Sequence, residues 1–169
     1  EDTLSLHDAL PILQQEALAL CDALERDHDT LPSGLSMYHP QWHQGVVGIL
    51  ASRIKERFHR PVIAFAPAAD GVIKGSGRSV QGFHMRDALE RLDSRFPGLM
   101  LKFGGHAMAA GLTLPKAHLP DFELHFPALV AEWLSPELLT NHWLSDGELA
   151  ADELTLTLAE ALRSEEHTS

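Results

Sequence analysis

"GVVGILASRIKERFHRPVIAFAP", Gly45–Pro67, decides the fold class. Its first half places Val47, Leu50, Ala51, Ile54 and Phe58 on one face of a helix, with Arg53, Lys55 and Arg57 on the others. Its second half, from Pro61 to Pro67, is an apolar run bounded by prolines, the pattern of a buried strand. A helix that hands over directly to a buried strand is the repeating unit of a layered α/β fold.

The alternation continues on both sides. "LSMYHP" reads as a short strand ending at Pro40, and "GVIKGSGRS" as a strand from about Gly71 to Lys74 that runs into a glycine-rich turn. "FHMRDALERLDSRF" predicts a second amphipathic helix, with Met85, Ala88, Leu89, Leu92 and Phe96 as its apolar stripe. "GLMLKF" and "AAGLTL" read as strands separated by Gly104, Gly105 and His106. "LPDFELHFPALVAEWL" reads as a helix with Pro120 near its first turn and a bend at Pro127. The expected fold is therefore α/β, a central mixed sheet flanked by helices. Upstream, Leu13, Ala17, Leu20 and Leu24 form a helical stripe, followed by a linker-like stretch from Asp27 to Gly34. After Ser135 a different segment begins.

With 169 residues, 44% hydrophobic and 22% charged, the chain has material for one good core. No apolar run approaches the roughly 20 residues of a membrane span, so no membrane partner is expected. The single cysteine, Cys21, excludes an internal disulfide and fits a reducing, cytoplasmic compartment. The two ends read differently from the rest. Asp2–Ile12, "DTLSLHDALPI", is the in-frame translation of a common sequencing-adapter string, and Arg163–Ser169, "RSEEHTS", is the translation of its partner. Residues 1–12 and 163–169 are accordingly expected to be non-natural, which sets His7 and His167 aside from any site. The net charge of −11 is unevenly spread: Gln41 to Lys116 carries eleven Lys/Arg against five Asp/Glu, whereas Ala117 to Leu162 carries nine acids and no base. A basic middle serves a polyanionic ligand or is ordinary surface charge; charge alone does not decide between them.

Three stretches could carry chemistry. In "KGSGRS", Lys74–Ser79, Gly75 and Gly77 could turn successive N–H groups toward an anion. Lys74 would add a point charge, Arg78 a bidentate fork and Ser79 a hydroxyl. It lacks the GK[ST] of a Walker A loop, and a plain glycine-rich turn with an exposed Arg is the competing reading. In "FGGH", Gly104 and Gly105 could bring bare backbone against a ligand with His106 beside it; a turn holding a satisfied histidine is the alternative. In "HPQWHQGVVG", Gly45, Gly48 and the helix start suggest an anion-attracting N-terminus with His43 just before it. Trp42 could stack a base, though a core role fits it better. No Cys/His zinc spacing, two-metal Asp/His cluster or Ser/His/Asp pattern occurs, so the residues describe an anion-binding domain without a visible catalytic engine.

"WHQGVVGILASRIKERFHRPVIAF", "KGSGRSVQGFHMRDAL" and "LKFGGHAMAAGLTL", in that order, resemble the DHH-associated domain of the RecJ family of bacterial single-strand-specific exonucleases. The resemblance is strong from about Met37 to Val130. It implies an interdomain linker helix over residues 13–33, a substrate-binding DHH-associated domain over 34–134 and the start of an OB-fold domain over 135–162. It further implies removal of nucleotides 5′ to 3′ from single-stranded DNA in recombination and repair, with Mn2+ or Mg2+ held by a separate DHH domain. In that scheme Arg78 and Ser79 contact phosphate, and Gly104, Gly105 and His106 sit beside the scissile phosphate, with His106 as the candidate catalytic contact. His43 matches a family histidine of unassigned role, and no metal is expected on these residues. The chain would then bind single-stranded DNA and its parent's DHH and OB-fold domains but not cut on its own. The alternatives are the oligoribonuclease and nucleotide-phosphatase branch of the DHH superfamily, or a non-catalytic nucleic-acid-binding module.

Overall fold

A computed structural model describes residues 31–69 and 71–139, together with the helical positions Ala19 and Asp22. Most of the expected linker helix, residues 1–12, and everything from 140 to 169 lie outside the described residues. The strands are β1 (Leu35–Tyr38), β2 (Val62–Pro67), β3 (Val72–Arg78), β4 (Lys102–Gly105) and β5 (Ala109–Pro115). The helices are α1 (Val47–Phe58), α2 (Met85–Arg95) and α3 (Leu119–Trp133), with short 3-10 turns at Lys116–His118 and Pro136–Leu139. They build a five-stranded mixed sheet of order β1-β2-β3-β5-β4, the α/β architecture expected. β1 and β2 are parallel and joined by α1 as a crossover, while the remaining pairs are antiparallel.

Each face of the sheet has its own core. On one face α1 buries Val47, Leu50, Ala51, Ile54 and Phe58, the stripe visible in the sequence, against Leu35, Val62, Ala64 and Ala66. Trp42 joins this core at 7% exposure, so its ring packs there instead of standing free to stack a base. The helix ends where His59 adopts a left-handed conformation (φ 51°) and its N–H bonds the Lys55 carbonyl, two residues before Pro61. On the other face α2 and α3 pack over Ile63, Phe65, Ile73, Leu112 and Leu114. Phe122 meets Phe65 edge-on at 5.5 Å and stacks on Phe126 at 5.6 Å. α3 runs unbroken through Pro127.

The structure corrects the expected turn at "KGSGRS". β3 does not stop at Lys74 but continues to Arg78 as the central strand, laddered to β2 and β5 along its length. The reason is packing. A Cβ on Gly75 would lie 2.6 Å from the Phe65 ring and 2.7 Å from Leu112, and one on Gly77 would lie 3.3 Å from Met85. These glycines make room for large neighbours within the α2–α3 core; their N–H groups belong to the ladder and form no anion nest. Likewise Gly104 and Gly105 lie within β4, and the turn of the β4–β5 hairpin is His106–Met108.

α2 and α3 are clamped at their exposed ends by a bidentate pair, Arg95 to Glu132 at 2.6 and 2.7 Å. The hydrogen bond from Arg95 holds the Glu132 carboxyl below its ordinary value of 4.5, and the same bond raises Arg95. A depressed carboxyl stabilises the fold above its unfolded value, and that contribution is lost as pH falls through the folded value. Glu132→Gln is therefore expected to lower the melting temperature slightly at pH 7, with the deficit vanishing once pH drops well below 4.5. A deficit that persists in acid would show that the pair is not its source. Gly75→Ala is expected to cost about 1–3 kcal/mol through overpacking against Phe65, measurable by urea denaturation.

Candidate nucleic-acid interface

The alternation of β3 sets the site. With Ile73, Gly75 and Gly77 turned into the α2–α3 core, Lys74, Ser76 and Arg78 are turned to the opposite face. Strand pairing extends that face outward: Lys74 sits opposite Thr113, Ser76 opposite Gly111 and Arg78 opposite Ala109. One strand further, Lys102 sits opposite Thr113 and Gly104 opposite Gly111. α1 covers β1, β2 and the Arg78 end of β3, whereas among the described residues no helix packs over this face of β5 and β4. The result is an open sheet surface floored by small residues, edged by lysines and free of Asp and Glu. Lys74, Lys102, Gly104, Gly111 and Thr113 line a shallow depression of about 370 Å³ on it.

Arg78 is where the three sequence motifs meet. Its Nη1 donates to Ser76 Oγ at 3.1 Å and to the Gly77 carbonyl at 2.8 Å, which fixes the guanidinium over the strand. A Cβ on Gly48, in the first turn of α1, would lie 2.8 Å from its Nη2, so this glycine lets the helix start close against the cation. That helix start has no side-chain cap and no acid in its first turn, a favourable place for an anion. His43 is exposed just before it, and its Nδ1 accepts the Gly45 N–H at 3.1 Å, which leaves Nε2 outward-facing chemistry to offer. On the strand side, Ala109, opposite Arg78, accepts the His106 N–H at 2.8 Å. His106, exposed, and Arg78 thus occupy the same end of the sheet. No carboxylate pairs with Arg78, Lys74 or Lys102 among the described residues.

The paired glycines separate on geometry. Gly105 has φ 145°, and a Cβ on it would strike the Ala109 carbonyl at 2.4 Å and Ala110 Cα at 2.5 Å, so the hairpin itself requires glycine there. Gly104 has no such demand: its φ is ordinary and a Cβ would meet nothing within 4 Å. Gly111, its cross-strand neighbour, is nearly as open. Ser79 stands apart from the group. It is 1% exposed, its hydroxyl donates to the Phe83 carbonyl, and its N–H bonds the Met108 carbonyl at 2.9 Å. Together with Met85 N–H to Ala107 O at 2.8 Å, this staples the hairpin tip that carries His106. Of the residues singled out from sequence, His43, Lys74, Arg78, Gly104 and His106 share the open face or its rim, whereas Gly75, Gly77 and Ser79 are interior. Lys102, Gly111 and Thr113 escaped the sequence reading, although the alternation within "LKFGG" and "AAGLTL" places them on this face once the hairpin register is known.

Among the described residues no group of three His, Cys, Asp or Glu side chains could hold a metal ion, and no helix is long and apolar enough to cross a membrane. A second depression, about 430 Å³, lies between the end of α2 and the start of α3. Both of its histidines are engaged with other lining residues: His125 stacks on Phe96 at 3.7 Å and His118 Nδ1 meets the Leu99 carbonyl at 3.1 Å.

Residues 32–133 match the model of the DHHA1 domain family. The chain is 67% identical over 151 residues to the single-stranded-DNA-specific exonuclease RecJ of Escherichia coli and 49% identical over 152 residues to that of Haemophilus influenzae. These matches cover 89% and 90% of the chain but only 26% of each relative, so it spans about a quarter of their length. Among solved structures it resembles RecJ of Thermus thermophilus in complex with Mn2+, with a TM-score of 0.60 and 32% identity over 78% of this chain and 19% of that one. It also resembles an exonuclease RecJ bound to manganese, with a TM-score of 0.61 and 30% identity over 80% of this chain and 33% of that one. The chain accordingly belongs to the DHHA1 domain family, in its RecJ-like form.

Proposed function

We propose that this chain is the substrate-holding part of a RecJ-like exonuclease, which removes nucleotides 5′ to 3′ from single-stranded DNA in cytoplasmic recombination and repair. The observation that carries the reading is Arg78, a cation without a carboxylate partner among the described residues, held between an uncapped helix start and the His106 hairpin. A phosphodiester placed there would meet the guanidinium, the α1 amides and the two exposed histidines, while Gly104 and Gly111 let the backbone of the strand lie flat on the sheet. In this reading His106 contacts the reacting phosphate and His43 approaches it from the side of the α1 start. The RecJ structures that resemble this chain contain Mn2+ or Mg2+. The described residues do not fit a metal of their own, so their contribution is to grip the strand and neutralise its charge. Metal-activated attack on phosphorus belongs to another part of the parent enzyme. The chain by itself binds single strands and leaves them intact; release of nucleotides from single-stranded DNA by the purified chain with Mn2+ would overturn this.

Gly104→Val separates a ligand-driven glycine from a fold-driven one. The fold has open space for the added side chain, and β propensity favours valine, so the melting temperature is expected to hold or rise. Binding of a fluorescent single-stranded oligonucleotide is expected to weaken severalfold. Unchanged binding would remove the close approach from the proposal. Arg78→Ala is expected to weaken binding and to reduce the slope of log K against log salt by about 0.7, the value for one single-strand phosphate contact. An unaltered slope would remove Arg78 as a phosphate contact.

A further inference from the structure

The charges on the open face fall into two groups, not one. Arg78 stands at the α1 end with Gly48 and Ser76. Lys74, Thr113 and Lys102 form a row across β3, β5 and β4, each directly opposite the next in register. The two lysines are thus two strands apart, roughly 9–10 Å between Cα atoms, with the Thr113 hydroxyl between them. Both are exposed, neither has an ion-pair partner among the described residues, and the depression between them is floored by Gly104 and Gly111. Along β3, Lys74 is four residues from Arg78, about 13 Å at strand rise. That distance corresponds to about four nucleotides of a stacked strand at ~3.4 Å per step, and to fewer if the strand is stretched.

We infer that Lys74, Thr113 and Lys102 form a second phosphate subsite, distinct from the Arg78 end, which grips the backbone of the same single strand several nucleotides away. The inference rests on the reading that the Arg78 end holds a nucleic-acid phosphate, and it adds where the rest of the strand runs. Two cations about 10 Å apart on opposite sides of a neutral floor suit a chain of diesters passing between them. A lone terminal phosphate at Arg78 would leave them unused. The strand therefore runs along β5 on the bare face, flanked by β3 and β4, and affinity grows in a step once the oligonucleotide is long enough to reach the lysine row. The two histidines at the Arg78 end contact the near phosphate and take no part in this step.

The test compares 5′-phosphorylated oligothymidylates of two and eight nucleotides, titrated into the isotopically labelled chain, with backbone amide shifts as the readout. The dinucleotide is expected to shift the amides of Val47 and Gly48 only. The octanucleotide is expected to shift Gly104, Gly111 and Thr113 as well. In the Lys74→Ala/Lys102→Ala double variant, dinucleotide affinity is expected to stay within twofold of the parent. Octanucleotide affinity is expected to fall roughly tenfold at low salt, with a salt slope smaller by about 1.4, two single-strand contacts at about 0.7 each. The control is Arg86→Ala/Arg91→Ala, which removes the same charge from α2 on the opposite side of the sheet. Equal losses in the control, or no length-dependent loss in the lysine variant, would overturn the subsite while leaving the Arg78 reading intact. Failure of both oligonucleotides to shift Val47 and Gly48 would overturn the Arg78 reading and the subsite with it. Inorganic phosphate, added in place of DNA, is expected to shift the Arg78 end alone; an equal response at the lysine row would mark a general anion site and overturn the strand path.

Discussion

The packing of Phe65 and Leu112 against Gly75 governs everything else in this domain. β3 is the central strand, and its side chains must alternate between two faces. Large neighbours demand bare backbone at Gly75 and Gly77, which commits those positions to the α2–α3 core. Once that parity is set, Lys74, Ser76 and Arg78 have only the other face to occupy. A one-residue slip of β3 would bury two cations and a hydroxyl and expose Ile73. The hydrophobic requirement on one side of the sheet thus writes the charge pattern on the other.

This constraint also explains what the sequence made legible. The stripes of α1 and α2 were plain, because each helix has a single buried face and the 3.6-residue period survives intact in Val47, Leu50, Ala51, Ile54 and in Met85, Ala88, Leu89, Leu92. β2 was plain because its residues are apolar on both faces. β3 was not, since glycines that accommodate an aromatic ring look identical in sequence to glycines that make a turn. Only the neighbour across the ladder distinguishes them, and that neighbour is a long-range fact. Ser79 misleads for a similar reason: a serine after an arginine reads as a phosphate donor until its hydroxyl is found bonded to Phe83 O. That Arg78 and His106 serve one phosphate could be expected from the resemblance, but the approach of the α1 start to Arg78 and of the His106 hairpin to the same end of β3 is a product of the crossover and the hairpin register.

The glycines of the domain divide by what demands them. Gly75 answers to the core and Gly105 to the hairpin, and each would collide with its own chain if substituted. Gly104 answers to nothing inside the described residues. It lies between the lysine row and the His106 hairpin, where a ligand approaching the sheet closely would be the one demand for a bare backbone.

The two cores differ in size: nineteen buried residues on the α2–α3 side and ten on the α1 side among the described residues. They share no side chain, only the sheet between them. Cooperative opening of α1 would therefore expose Val62, Ala64 and Ala66 without disturbing Phe65, Phe122 or Phe126. Amides of α1 are then the ones to exchange with solvent at lower free energy than those of β3 and β5. A ligand held at the start of α1 would also tie down the half of the domain with the smaller core, so its binding and local stability would be thermodynamically linked.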